Sequence, residues 1–132
     1  MAQNDNRPLS PHLQVWRFHI TMFVSIMHRV TGCGLYIGAL LAAGWALALA
    51  GGPVTYNNFL GWFDNPLGML VLLGLTVCMY FHLGNGVRHL FWDMGEGFQL
   101  KTAEFTAWAL IGFTVVATVF TWGLAYATGA FL

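Results

Sequence analysis

Residues 30–50 read VTGCGLYIGALLAAGWALALA, 21 positions without one charged side chain. As a helix rising about 1.5 Å per residue, such a stretch covers the roughly 30 Å hydrocarbon layer of a bilayer. The apolar character reaches back to residue 21, with Arg29 the one charge in that extension, and Gly51-Gly52-Pro53 breaks it at the other end. A second apolar segment opens after Asn65-Pro66, a turn-favouring pair, and continues to about residue 90. Beyond the break at Met94-Gly95-Glu96-Gly97 a third, residues 105–132, carries no charge at all. The expected fold is an all-α membrane protein with three transmembrane helices, at about residues 21–50, 66–90 and 105–130, behind a polar segment of residues 1–20. No internal repeat or low-complexity tract is visible and no room is left for a soluble domain, so residues 21–132 read as one helical unit.

Composition agrees. Of 132 residues, 58% are apolar and 8% charged, against roughly 25% charged in soluble domains. A formal net charge of zero gives no hint of a nucleic-acid partner. Cys33 and Cys78 lie inside apolar stretches and read as small buried hydrophobes, not as a disulfide or metal site. Basic residues set the orientation. Arg7, Arg17 and Arg29 precede or begin the first span, Arg88 and Lys101 flank the connection from second to third, and residues 51–66 have neither Lys nor Arg. The positive-inside rule then places the N-terminus in the cytoplasm and the C-terminus in the periplasm. Residues 1–11 lack the apolar run of a cleaved signal peptide, and Asp5 argues against a mitochondrial presequence. A bacterial inner membrane, crossed several times, is the expected address.

The second span holds the run His82-Leu83-Gly84-Asn85-Gly86-Val87-Arg88-His89-Leu90-Phe91-Trp92-Asp93. An ionisable side chain at membrane depth needs a metal, a charge partner or a proton path, and neutral imidazole is a common axial ligand of haem iron. On a helix Asn85, Gly86 and His89 share the face of His82, and Gly86 leaves room for a flat macrocycle. No Cys-x-x-Cys-His occurs, so any haem is held non-covalently, as haem b. His82 and His89 share one face and cannot flank one haem; a core histidine is the plainer reading of His82, and a pairing with His28 is geometrically possible. A second cluster, Ser25-Ile26-Met27-His28-Arg29-Val30-Thr31-Gly32, stands where the first span enters the membrane. Ser25, His28, Arg29 and Gly32 share a face by helical spacing, and the topology brings this cluster and His82 to the same half of the bilayer. Arg suits a carboxylate such as a haem propionate, and a serine hydroxyl can donate to a quinone carbonyl. The plainer readings are an Arg29 that snorkels to the interface and a Ser25 bonded to its own helix.

Two stretches, Arg7-Pro8-Leu9 with Leu13 and Ser25-x-x-His28-Arg29-x-Thr31, then His82-x-x-x-Gly86-Val87-Arg88-His89-Leu90-x-Trp92-Asp93-x-Gly95, closely resemble the cytochrome b membrane-anchor subunits of succinate dehydrogenase, respiratory complex II. The resemblance spans residues 7–95, the third span adding matching length and hydrophobicity. It implies that His82 is one axial ligand of a b-type haem, the other coming from a second small membrane subunit packed against this chain. It implies that Ser25 and Arg29 line a ubiquinone site, and that His28 and Arg29 lie near the haem propionates. FAD and iron–sulfur clusters would belong to a flavoprotein and an iron–sulfur subunit, which agrees with the absence here of a dinucleotide-binding glycine motif and a cysteine cluster. The implied activity is electron transfer from succinate oxidation to ubiquinone, in the respiratory chain and tricarboxylic acid cycle. Alternatives are the anchor of a quinol-fumarate reductase, a non-catalytic tether for soluble subunits, and a small transporter subunit, the last weakened by the uncharged third span.

The remaining features read as structural. Trp16, Trp62, Trp92 and Trp108 suit interfacial belts, and Gly34, Gly38, Gly44, Gly68 and Gly74 suit close helix packing. His12 and His19 read as solvated or interfacial, and Glu96 and Glu104 as loop charges. Asp93 is expected to pair with Arg88 or to cap a backbone end, with proton delivery to quinone open.

Overall fold

The computed structural model describes residues 16–129; Arg7, Pro8, Leu9, His12 and Leu13 lie outside them. Four α-helices follow in order: α1, Ile20–Ala50; α2, Pro53–Leu60; α3, Pro66–Asp93; and α4, Leu100–Ala127. Helices α1, α3 and α4 are long and apolar enough to cross a membrane. At 31, 28 and 28 residues they run about 42–46 Å, so their ends project past the hydrocarbon into the headgroup region. That excess explains why α3 and α4 contain Asp93 and Lys101, charges lying outside the purely apolar segments. Glu104 sits in α4, not in a loop.

Local chemistry fixes the breaks. Gly52 adopts φ +91°, which a side chain disfavours, and Pro53 opens α2. The short α2 departs from the expectation that Gly51-Gly52-Pro53 only breaks the chain, because Gly followed by Pro at the first helical position also starts a helix. At the head of α3, Asn65 accepts from the backbone N–H of Leu67 at 3.1 Å and Gly68 at 3.0 Å while donating to the Trp62 carbonyl at 2.9 Å. Two otherwise orphaned helix donors are thereby satisfied.

Helix α3 is central, packed against α1 on one side and α4 on the other, and α1 also meets α4. Small residues allow the approach. A Cβ added at Gly34 would come 3.0 Å from Cys78 Sγ, and one at Gly38 3.0 Å from Leu75. On the other side a Cβ at Gly84 would come 2.6 Å from Leu110, a glycine whose packing role sequence reading missed. Gly44 faces Phe59 and Gly68 packs on the backbone of Trp62 and Phe63, but Gly74 faces open space and holds no seam. Cys33 is exposed, not buried, and both cysteines are free. Polar bonds between α3 and α4 reinforce the packing: Tyr80 to Thr121 at 2.7 Å, and Trp122 Nε1 to Thr76 Oγ1 at 3.3 Å. The apolar core, Val24, Phe81, Ala107 and Leu110 with Ile20, Met27 and Ile111 against it, lies at the end where α1 and α4 begin and α3 finishes. Toward the opposite end a cleft of about 580 Å³ opens between the three long helices, beside Gly38, Leu75 and Trp122.

Candidate functional site

The tightly packed end of the bundle gathers the histidines. His28, two turns into α1, stacks on His82 of α3, ring centroids 4.0 Å apart and planes 15° from parallel. His89, two turns further along α3, brings its ring to 5.1 Å from His28 and meets Trp92 edge-on at 4.9 Å. The two sequence clusters therefore come together.

The hydrogen bonds of His82 assign its tautomer. Its Nδ1 lies 3.2 Å from the carbonyl oxygen of His28 and 3.3 Å from Thr31 Oγ1. A carbonyl only accepts, so Nδ1 carries the hydrogen and donates, which leaves the Nε2 lone pair for a ligand. Thr31 donates its own proton to Met27 O at 2.8 Å or His28 O at 3.0 Å and thus presents lone pairs to the ring. This is the arrangement of a metal-ligating histidine, whose second nitrogen is held by an outer partner. Beside Gly86, one turn on, nothing lies within 4 Å of where a Cβ would stand, so a flat group can approach the helix there. Among the described residues no group of three or more His, Cys, Asp or Glu is placed to hold a bare metal ion. Haem brings its equatorial nitrogens with it and asks only for axial ligands, so the residues present fit it. The face-to-face stack of His28 on His82 does not let these two rings flank one iron, which needs nitrogen opposite nitrogen with the macrocycle between.

The face expected to carry Ser25, His28, Arg29 and Gly32 divides. His28, with Thr31 and Gly32, turns toward α3, and its Nδ1 is buried without a partner among the described residues. Ser25 and Arg29, one turn apart, are exposed on the outside of α1. Threonines 31, 76 and 114 bond carbonyls of their own helices; the Ser25 hydroxyl makes no such bond among the described residues and stays free to meet a ligand. His19, at the N-cap of α1, is exposed.

Two expectations need correction. Asn85 was placed on the face of His82, yet it is wholly buried, its amide oxygen 3.4 Å from Arg88 Nη1. An i+3 residue is rotated by roughly 60° from i, and on α3 that rotation points into the packed core. Arg88, expected at the surface beside Asp93, is 7% exposed. Its guanidinium donates to Thr106 Oγ1 and to the Ala103 carbonyl, both at 2.9 Å, and lies 4.2 Å above the Trp92 ring. These neutral partners on α4 are within reach where a paired Asp93, left exposed at the end of α3, is not used. The sequence presents Thr31 only as one position of the Ser25-x-x-His28-Arg29-x-Thr31 motif; its place one turn after His28 on the same face is the signal for its contact with His82.

Sequence comparison fits this arrangement. The profile of the family described as succinate dehydrogenase/fumarate reductase transmembrane subunit matches residues 3–121. The succinate dehydrogenase cytochrome b556 subunit of Paracoccus denitrificans is 39% identical over 116 residues, covering 88% of this chain and 89% of that protein. That of Rickettsia felis is 32% identical over 118 residues, covering 89% and 92%. The mitochondrial succinate dehydrogenase cytochrome b560 subunit of Sus scrofa is 32% identical over 118 residues, covering 86% and 69%. Three long apolar helices, a histidine cluster at one end and a match over nearly the whole length make one conclusion: the chain belongs to the succinate dehydrogenase/fumarate reductase transmembrane subunit family.

Proposed function

We propose that this chain binds haem b through His82 and ubiquinone beside Ser25 and Arg29, passing electrons from succinate oxidation to the quinone pool of a bacterial cytoplasmic membrane. Its relatives are named as cytochrome b subunits of succinate dehydrogenase. A flavoprotein carrying FAD would oxidise succinate to fumarate, an iron–sulfur subunit would relay the electrons, and a second small membrane subunit would supply the other axial histidine. The observation that carries the reading is the His82 ring, held through Nδ1 with Nε2 unused, next to open space at Gly86.

When bound, the haem supplies a one-electron centre whose potential follows its ligation, burial and nearby charge. His82 offers Nε2 to the iron. His28 has a buried ring nitrogen without a partner, suited to a propionate oxygen. Arg29, exposed on α1, pairs with a propionate or with the oxygen of a quinone as it gains negative charge. Ser25, one turn before it, donates its O–H to a quinone carbonyl. Ubiquinone takes two electrons and two protons to become quinol, matching the two electrons and two protons that succinate releases on becoming fumarate.

The test is a succinate-reduced minus air-oxidised optical spectrum of the complex drawn gently from native membranes. A sharp b-type band, lost in His82→Ala, is the expected result. Haem reducible by dithionite but never by succinate would remove the dehydrogenase partnership. Co-purifying partners without haem would leave a plain anchor.

A further inference from the structure

His82 is steadied by the opposing helix. Three residues within one turn of α1 lie against its ring: the carbonyl of His28, 3.2 Å from Nδ1; the hydroxyl of Thr31, 3.3 Å from Nδ1; and Gly32, where an added Cβ would stand 3.2 Å from Cε1 and 3.7 Å from Nδ1. Thr31 is buried, 7% exposed. Its hydroxyl proton is spent on the carbonyl of Met27 or His28, which turns the oxygen's lone pairs toward the imidazole. Thr76 and Thr114 make the same bond to their own helices, but Thr31 has a histidine on its other side.

We infer that Thr31 is a positioning residue for the iron ligand, an inference that rests on haem ligation by His82. With the His28 carbonyl it fixes the hydrogen on Nδ1, sets the rotation of the ring, and makes Nε2 the donor. Gly32 leaves the space in which the ring sits. An acceptor on Nδ1–H also raises the basicity of the ligating nitrogen. A more basic ligand favours oxidised iron, so the hydroxyl lowers the potential of the haem. Removing it weakens that donation, lets the ring turn about the remaining His28 bond, and moves the potential upward.

The experiment compares the complete complex carrying Thr31→Val, which keeps the side-chain shape without the hydroxyl, with Thr31→Ser, which restores the hydroxyl. Gly32→Ala adds a methyl against Cε1 with the hydroxyl in place. Readouts are haem content, the g values of the low-spin ferric haem by electron paramagnetic resonance, and the midpoint potential by redox titration. Thr31→Val is expected to keep its haem, shift the potential upward and change the g values; Thr31→Ser should return both to native, and Gly32→Ala should change the g values. Native potential and g values in Thr31→Val overturn the inference. If Thr31→Val yields no complex, Gly32→Ala and Thr31→Ser decide: native g values in the first, or a shifted potential in the second, overturn it. His82→Ala separates the two levels. Loss of haem there, beside a native Thr31→Val, removes only the positioning role; a native haem band in His82→Ala removes the ligand assignment and the inference with it.

Discussion

Ser25 and Arg29 stand one turn apart on the exposed surface of α1, rotated by about 60° and 100° around the helix from His28, which stacks on His82. A site there is closed only when another surface covers it, which suits a quinone held where this chain meets its partners. A hydrogen bond involving a charged group contributes about 1.5–3 kcal/mol and a neutral one about 1 kcal/mol. At about 1.4 kcal/mol per tenfold, Arg29→Ala is expected to lower kcat/KM for ubiquinone by about 10- to 100-fold and Ser25→Ala by about 5-fold. Succinate oxidation by artificial dyes, which tests the soluble subunits, should continue at the native rate. Steady-state assays of the complex with each acceptor check this, and unchanged quinone kinetics in both variants would remove the assignment. Of these residues, Ser25, His28, Arg29 and His82 were legible in the sequence because ionisable or hydroxyl groups at membrane depth are rare and stand out. Thr31 was not, since a threonine in an apolar helix ordinarily bonds its own backbone, and only the opposing helix shows what else it meets.

Helix α4 is tied to α3 by one buried cation and by one missing side chain. Arg88 donates to Thr106 and Ala103 on α4 and to Asn85 on its own helix. Arg88→Leu leaves the buried Asn85 amide oxygen without its donor and removes the bonds to Thr106 and Ala103, and is expected to cost about 2–4 kcal/mol, read as a lower melting temperature of the purified complex. Arg88→Lys, a point charge without the guanidinium fork, should recover only part of the loss; a native melting temperature in Arg88→Leu would show that the bonds contribute nothing net. Glycines give a paired contrast. Gly84→Ala drives a methyl toward Leu110 and Phe113 and is expected to cost about 1–3 kcal/mol, whereas Gly74→Ala enters open space and should stay within about 0.5 kcal/mol of native. Equal melting temperatures for the two would contradict the packing described. The three long helices were legible because a span of lipid demands an unbroken apolar run. The rotation of α3 was not: its periodicity is nearly uniform in apolar residues, so nothing in the sequence told that Asn85 and Arg88 face the core while Gly86 faces out. Short α2 escaped for a similar reason, having eight residues and no buried face to leave a pattern.

The ends of the bundle differ in charge. Arg17 and Arg29 lie at or before the first turns of α1, Arg88 in the last turns of α3 and Lys101 in the first turn of α4, all at the end where His28 meets His89. The opposite end, from the C-terminus of α1 through α2 to Asn65, holds Asp64 and, among the described residues, no Lys or Arg. Retention of basic loops on the side of synthesis would put the histidine end at the cytoplasm, where the proposed soluble subunits could deliver electrons to a quinone held beside Ser25 and Arg29 without crossing the bilayer. The reversed orientation would separate electron source from acceptor by the roughly 30 Å hydrocarbon layer, so topology and mechanism stand or fall together. Single cysteines introduced by Asn57→Cys in α2 and Gln99→Cys before α4, with Cys33 and Cys78 replaced by serine, test it. A membrane-impermeant maleimide should label position 57 in cells whose outer membrane alone is opened, and position 99 only after the inner membrane is broken. The inverse labelling pattern would turn the molecule over and, with it, withdraw the quinone site from the reach of its proposed partners.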